Sequence, residues 1–196
     1  MKNILVTGCN GQLGNEMQLL ATGYPEFNYF FTDVKELDIT DENAVKSFVK
    51  TNGIDCVVNC AAYTAVDKAE ADEAFCNILN HIAPGYLAKA VHEQGGCMIQ
   101  VSTDYVFDGT THIPYREEEP TCPATVYGRT KLAGEEAVMR NCPESVIIRT
   151  AWLYSTFGNN FVKTMLRLGR EKESLGVIFD QIGTPTYTLD LARLLV

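Results

Sequence analysis

Tyr127 and Lys131 stand four residues apart in Tyr127-Gly128-Arg129-Thr130-Lys131, a spacing that puts both side chains on one face of a helix. A phenol is ordinarily a weak acid, with a pKa of about 10. An ammonium one turn away, joined by a second positive charge such as that of an oxidised nicotinamide, is expected to favour the phenolate and lower that value. Tyr127 could then give a proton to a carbonyl oxygen while a hydride reaches the carbon. Thr103, in Ser102-Thr103-Asp104-Tyr105, ends an apolar run and is placed to donate a second hydrogen bond to the same oxygen. Lys131 has a further use, as a donor to a nicotinamide ribose.

A hydride donor needs its own cradle, and the first stretch of the chain supplies one. Lys2-Asn3-Ile4-Leu5-Val6-Thr7 reads as a buried strand, followed by Gly8-Cys9-Asn10-Gly11-Gln12-Leu13-Gly14 and a helical pattern through Met17, Leu20 and Ala21. Three glycines at three-residue spacing suit a dinucleotide turn. Gly8 allows the bend, Gly11 admits a pyrophosphate to the backbone, and Gly14 lets helix and strand pack closely. About 20 residues on, a second apolar run, Tyr29-Phe30-Phe31-Thr32, ends in Asp33, where a carboxylate can accept hydrogen bonds from an adenosine ribose. Asp38 is either an adenine-edge contact or a turn carboxylate. Ala61 and Ala62, after the strand Asp55 to Cys60, are small enough for sugar and phosphates to lie against the backbone.

The remaining elements alternate. A helix through Ala44, Val45, Phe48 and Val49 starts at a Thr40 or Asp41 cap and stops at Asn52-Gly53. A long helical region from Val66 to about Gln94 is broken by Pro84, whose missing N–H frees the carbonyl of Asn80 and marks a polar feature there. Further strands are expected at Gly96 to Val101 and Ser145 to Thr150, with the helix of Tyr127 between them. Beyond lie a helix from about Asn160 to Arg170, a short strand at Val177-Ile178-Phe179, the turn Gly183-Thr184-Pro185-Thr186 and a helix from Leu189 to Val196. The alternation predicts an α/β fold with a doubly wound parallel sheet of the Rossmann type.

The 196 residues suffice for one sizeable domain but not for two full ones. Twenty-five acidic against sixteen basic residues give a formal charge of −9, which argues against nucleic acid or an anionic membrane as a partner. An anionic ligand must then rely on helix N-termini and local basic groups. The seven cysteines show no metal-ligand spacing, so no metal ligand is assigned, and reduced thiols in a cytoplasmic protein are expected. Cys56 and Cys60 fall on one face of a strand, which suits packing. Neither a signal peptide nor a membrane span is visible.

The motifs together resemble the extended short-chain dehydrogenase/reductases, and within them the branch acting in dTDP-L-rhamnose synthesis. The matches run through Thr7 to Gly14, Leu37 to Thr40, Asn59 to Glu70, Ser102 to Gly109, Tyr127 to Lys131, Arg149-Thr150-Ala151-Trp152 and Gly183 to Thr186. The resemblance implies a catalytic triad of Thr103, Tyr127 and Lys131. It implies a cofactor site of Gly8, Asn10, Gly11, Gln12, Leu13, Asp33, Asp38, Ile39, Ala61, Ala62 and Tyr63, together with Tyr127 and Lys131. Val66, Thr103, Asp104, Tyr105 and Trp152 would face the sugar of a nucleotide-sugar substrate. The reaction implied is reduction of the C4 ketone of dTDP-4-dehydro-L-rhamnose by NADH or NADPH, in the synthesis of a cell-envelope polysaccharide precursor. Asp33 would repel a 2′-phosphate and favour NADH, with Lys35 softening the preference.

By the same resemblance, residues 1–158 are the NAD(P)-binding domain carrying the catalytic side chains, and 159–196 begin an incomplete substrate-binding portion. Family members continue for roughly another hundred residues, so most of the smaller C-terminal lobe is expected to be absent. Some members place Mg²⁺ at a homodimer contact, for which no ligand set can be assigned here. Two other readings share the fold: a nucleotide-sugar epimerase or dehydratase, and a non-catalytic cofactor-binding regulatory subunit. A dehydratase normally has an acidic residue after Thr-Asp, where this chain has Tyr105; retention of Thr103, Tyr127 and Lys131 favours an enzyme over the subunit.

Overall fold

The computed structural model describes residues 1–196. Five parallel strands form the central sheet: β1 (Lys2–Thr7), β2 (Phe27–Thr32), β3 (Cys56–Asn59), β4 (Cys97–Thr103) and β5 (Val146–Thr150). Their order is β2-β1-β3-β4-β5, so the winding reverses beside β1, between the strands that lead to either edge. In such sheets a crevice opens at that reversal, outside the carboxyl ends of the strands. The register lines up those ends, with Thr7 opposite both Thr32 and Asn59, and Thr103 opposite Thr150.

Strand alternation feeds two cores. Leu5, Val57 and Met98 point to one face, where they pack under α2 (Glu42–Thr51), α5 (Ala83–His92) and α6 (Val126–Asn141). Ile4, Val6 and Val58 point to the other, against Leu13 and Met17 of α1 (Gln12–Ala21) and Leu191, Ala192 and Leu195 of α8 (Thr188–Leu195). Both faces are covered by helices, which is why these strands read as continuous apolar runs. Cys56 and Cys60 pack on the α1 side together, although β3 stops at Asn59. All seven cysteines are free thiols. No helix is long and apolar enough to cross a membrane.

The helix starts follow their caps. The Asp41 side chain accepts from the N–H groups of Asn43 and Ala44 to open α2, and Thr125 accepts from Gly128 to open α6. Asn160 likewise caps α7 (Phe161–Glu171), none of whose residues is buried.

Three stretches differ from expectation. The region from Val66 is not one helix interrupted at Pro84: it comprises α3 (Val66–Ala69), α4 (Glu73–Asn77), a π turn (Ile78–Ile82) and α5. The π turn closes with the Ala83 N–H donating to the Ile78 carbonyl, so the helix changes its hydrogen-bond register before Pro84, which sits in the first turn of α5 and needs no donor. Val177-Ile178-Phe179 is not a strand. Phe179 is 98 % exposed, and an apolar run with no neighbouring strand to pair with has nothing to hold it extended. A two-stranded parallel ladder that periodicity did not signal, β6 (Leu153–Tyr154) with β7 (Thr186–Tyr187), is too short to show any period.

Candidate active site

The turn after β1 is shaped by what a side chain would strike. Gly8 has φ +64°, and a Cβ there would lie 2.7 Å from the Ala61 nitrogen. A Cβ on Gly14 would come within 2.4 Å of the Cys9 Cα, so this glycine presses on the turn itself rather than on the strand. Gly11 is the N-cap of α1, and with no side chain to accept from the first-turn N–H groups it leaves them free for an anion. The Asp33 carboxylate reaches this turn from the end of β2, accepting from the N–H groups of Asn10 at 3.2 Å and Val34 at 2.8 Å. A Cβ-free cradle at a helix N-terminus, flanked by a carboxylate, fits the pyrophosphate and adenosine ribose of a dinucleotide.

Asp38 and Ile39 are arranged differently. One Asp38 oxygen accepts from both the N–H and the hydroxyl of Thr40, and these bonds hold its carboxyl below the usual range, as in a turn carboxylate. The Ile39 side chain lies in the core, which leaves only its backbone to meet a ligand.

A buried polar chain ties the central strand ends together. Thr7 Oγ1 donates to Asn59 Oδ1 at 2.6 Å, and Asn59 Nδ2 donates to Gln100 Oε1 at 2.8 Å. Asn59 Oδ1 also accepts from the Ala61 N–H. Each buried amide thereby finds its partner, and the backbone of Ala61 is fixed opposite Gly8.

Asn80 locks the next segment. Its Oδ1 accepts from the Tyr63 N–H at 2.8 Å and its Nδ2 donates to the Tyr63 carbonyl at 3.1 Å. The same Nδ2 lies 3.3 Å from Thr130 Oγ1 of α6. Pro84 marked this place through the Asn80 carbonyl, but the side chain is what carries the link. Tyr63 and Val66 then pack with Ala69, Cys76, Val126 and Tyr127 in one cluster.

Where α6 packs on β4, Tyr127 comes beside Thr103 and Lys131 reaches the backbone of Val101. A Cβ on Gly128 would stand 2.3 Å from the Tyr105 carbonyl oxygen, so α6 begins in direct contact with the 3-10 turn Asp104–Val106. That contact brings the Tyr105 and Tyr127 rings edge to face, 5.5 Å apart. Thr103 Oγ1 donates to Asp104 Oδ1 at 3.0 Å and accepts from the Tyr105 N–H.

The electrostatics depart from the expectation for this pair. Tyr127 is 9 % exposed, and burial pushes its phenol up to about 12 despite the Thr103 hydroxyl beside it. Lys131 is 4 % exposed, and burial brings its ammonium down to about 8, opposed by the carboxylate of Glu135. The lysine does not lower the phenol: its Nζ donates to the Val101 carbonyl of β4 at 2.7 Å. Shared helical face was correctly inferred, but depth outweighs proximity.

Glu135, one turn beyond Lys131, was not anticipated. It accepts from both Nε and NH2 of Arg149 at 2.7–3.2 Å, and the guanidinium lies 5.0 Å over the Phe107 ring. Its spacing from Lys131 was the available signal; its partner on β5 was not visible.

The sugar-facing candidates fall in two groups. Asp104, Tyr105 and Trp152 line one cavity of about 460 Å³, which shares Asp104 and Phe107 with a neighbouring cavity of about 620 Å³ lined by Arg149 and Thr150. Val66 stands apart from that lining, on the Tyr63 and Tyr127 side. Trp152 has φ +51°, a left-handed conformation rare for an aromatic residue, and its indole fills the space a Cβ on Gly183 would need. Gln12 of the glycine turn meets the start of α7, where its Oε1 accepts from Asn160 Nδ2 at 2.9 Å.

Comparison with known proteins places the whole chain in one family. A family model described as the RmlD substrate binding domain matches residues 1–196. A dTDP-4-dehydrorhamnose reductase of Salmonella typhimurium is 46 % identical over 188 residues, covering 94 % of this chain and 62 % of that protein. Among solved structures, the dTDP-4-dehydrorhamnose reductase of Clostridium acetobutylicum superposes with a TM-score of 0.95 at 47 % identity, covering 98 % of this chain and 68 % of that one. The Bacillus anthracis enzyme, solved in complex with NADP, gives 0.94 at 41 % identity over 100 % of this chain and 69 % of that one. The chain thus spans about two thirds of the length of these relatives. It belongs to the family of the RmlD substrate binding domain.

Proposed function

We propose that the chain carries the cofactor-binding and catalytic part of an NADH- or NADPH-dependent reductase acting on the C4 ketone of dTDP-4-dehydro-L-rhamnose to give dTDP-L-rhamnose. The observation that supports this reading is the packing of α6 on β4, which sets Tyr127 beside Thr103 and Lys131 on the Val101 carbonyl in the sheet whose β1 leads into the glycine turn. In this reading Gly8, Asn10, Gly11, Gln12, Leu13 and Asp33 receive the dinucleotide, with Ala61, Ala62 and Tyr63 along its other side. Asp104, Tyr105, Trp152 and Val66 face the sugar. Residues 1–158 form the cofactor unit and 159–196 begin the substrate-binding portion, with α8 returning to pack on α1.

A nicotinamide held by the glycine turn would supply the hydride. The protein supplies the proton, from Tyr127 Oη, which burial keeps in its neutral, donating form throughout the physiological range. Thr103 Oγ1 now gives its proton to Asp104; turned toward the ketone, the same hydroxyl would polarise the carbonyl oxygen. Lys131, charged below pH about 8 and held on the Val101 carbonyl, places a positive charge one helical turn from the phenolate that proton transfer leaves behind.

The test follows oxidation of NADH or NADPH with dTDP-4-dehydro-L-rhamnose as acceptor. Tyr127→Phe is expected to lower turnover by a factor of about 10² to 10⁴ while cofactor affinity, measured by fluorescence titration, stays nearly unchanged. Equal turnover in the variant refutes the assignment of the phenol. Cofactor binding without any oxidation, both in this chain and in a version extended through the rest of the substrate-binding portion, refutes the reductase reading in favour of a binding module; oxidation only in the longer form assigns the missing step to that portion.

A further inference from the structure

Far from the glycine turn, at the opposite end of the sheet, the last turn of α5 meets the end of α6. His92 closes α5, Cys142 is the C-cap of α6, and Pro143 leads to Glu144. One donor atom from each of His92, Cys142 and Glu144 falls within 4.8 Å of the other two. Fifty residues separate His92 from Cys142, which is why no ligand spacing shows in the sequence.

We propose that these three side chains form a site for a single divalent ion of the zinc class, with water as the fourth ligand, clamping the ends of α5 and α6. A zinc ion bound to nitrogen at about 2.05 Å and oxygen at about 2.1 Å in tetrahedral geometry sets those atoms about 3.4 Å apart. His92 Nδ1 and Glu144 Oε2 stand 3.4 Å apart. The sulfur needs about 3.6 Å from each, so the widest separation must close by about 1 Å, within reach of rotation in the two exposed side chains. Cys142 is fixed, fully buried in the core, and Pro143 stiffens the step to Glu144.

The surroundings suit a cation. Two helices end here, and their terminal carbonyls make the potential negative. The lysines at this end of α5 are matched, Lys46 with Glu93 at 3.2 Å and Lys89 with Glu42 at 3.1 Å. Thiolate, imidazole and one carboxylate are the donors of zinc and cobalt rather than of calcium or magnesium, which take oxygen shells. On binding, the Sγ–H bond breaks and its proton passes to solvent, a metal–sulfur bond forms, and the imidazole nitrogen and the carboxylate oxygen displace water from the ion. No electron changes hands.

Titration with Co²⁺ tests the site. The unaltered chain is expected to bind one equivalent with a thiolate-to-metal charge-transfer band and tetrahedral visible bands, to release about one proton per ion at neutral pH, and to yield the ion to Zn²⁺. Cys142→Ser should abolish the band, and His92→Gln and Glu144→Gln, both at exposed positions, should weaken binding by more than about 100-fold. Absence of a charge-transfer band overturns the proposal. So does a band that survives undiminished in His92→Gln and Glu144→Gln, because the ion would then sit on another of the thiols.

Discussion

Gly134 lies on the face of α6 that meets the π turn, and a Cβ added there would fall 2.1 Å from the Asn80 carbonyl oxygen. A carbon and a carbonyl oxygen rest at about 3.3 Å or more, so Gly134→Ala must push the two backbones apart by about 1.2 Å. Asn80 cannot retreat freely: its side chain holds both backbone groups of Tyr63 and touches Thr130. Overpacking of this kind costs about 1–3 kcal/mol, and each strained hydrogen bond adds about 1 kcal/mol. Alanine in place of glycine inside a helix returns about 1 kcal/mol. The expected net is a destabilisation of about 2 kcal/mol, which in a chain of this size lowers the melting temperature by about 4–8 °C. Gly169, in α7, has nothing within 4 Å of its Cβ position, so Gly169→Ala keeps only the helical gain and should raise the melting temperature slightly. Scanning calorimetry of the two variants decides. A Gly134→Ala protein that melts at or above the unaltered temperature would show that α6 and the π turn do not approach as described, and the Asn80 clamp on Tyr63 would lose its support.

Further outcomes follow from the same geometry. Arg149→Met leaves Glu135, whose side chain is 6 % exposed, as a buried carboxylate without its partner, and should destabilise by about 3–5 kcal/mol in urea unfolding, whereas Arg149→Met with Glu135→Leu should recover most of the loss. Lys131 releases its proton near pH 8 in the folded chain but near 10.5 when unfolded; between those values the unfolded state binds more protons, so this group makes stability rise with pH by up to about 1.4 kcal/mol per unit. Lys131→Met should remove that contribution, seen as the difference between the two proteins' stabilities at pH 8 and pH 9. Asp33→Asn removes a carboxylate beside the proposed ribose position and should raise the affinity for NADPH relative to NADH in paired binding titrations; its single amide oxygen can serve only one of the Asn10 and Val34 N–H groups, which bond separate Asp33 oxygens.

What could be seen in the chain beforehand depended on how local its cause is. The glycines at 8, 11 and 14, the Asp41 cap of α2 and the Asn160 cap of α7 act within a few residues, and their elements begin where spacing placed them. The parallel sheet was legible because alternating strands and helices admit few other solutions. The π turn was half legible: Pro84 announces a break, but a change from one hydrogen-bond register to another leaves no residue type of its own.

Depth is the harder quantity. The spacing of Tyr127 and Lys131 says that they share a face, and nothing in the pattern says that the face is turned inward against β4. Once Lys131 is buried with its ammonium on the Val101 carbonyl, desolvation governs both groups, and they move in directions that weaken charge: the phenol upward, the ammonium downward. In the proposed reductase, where the phenol must hold its proton until a ketone arrives, that is the serviceable direction. A phenol lowered toward neutrality would spend part of its time ionised and unable to donate, whereas one pushed to about 12 is protonated and needs the developing negative charge on the substrate oxygen to draw the proton away. In the proposed reductase, a pH profile for reduction should therefore stay flat on its acid side and fall as Lys131 discharges above pH about 8.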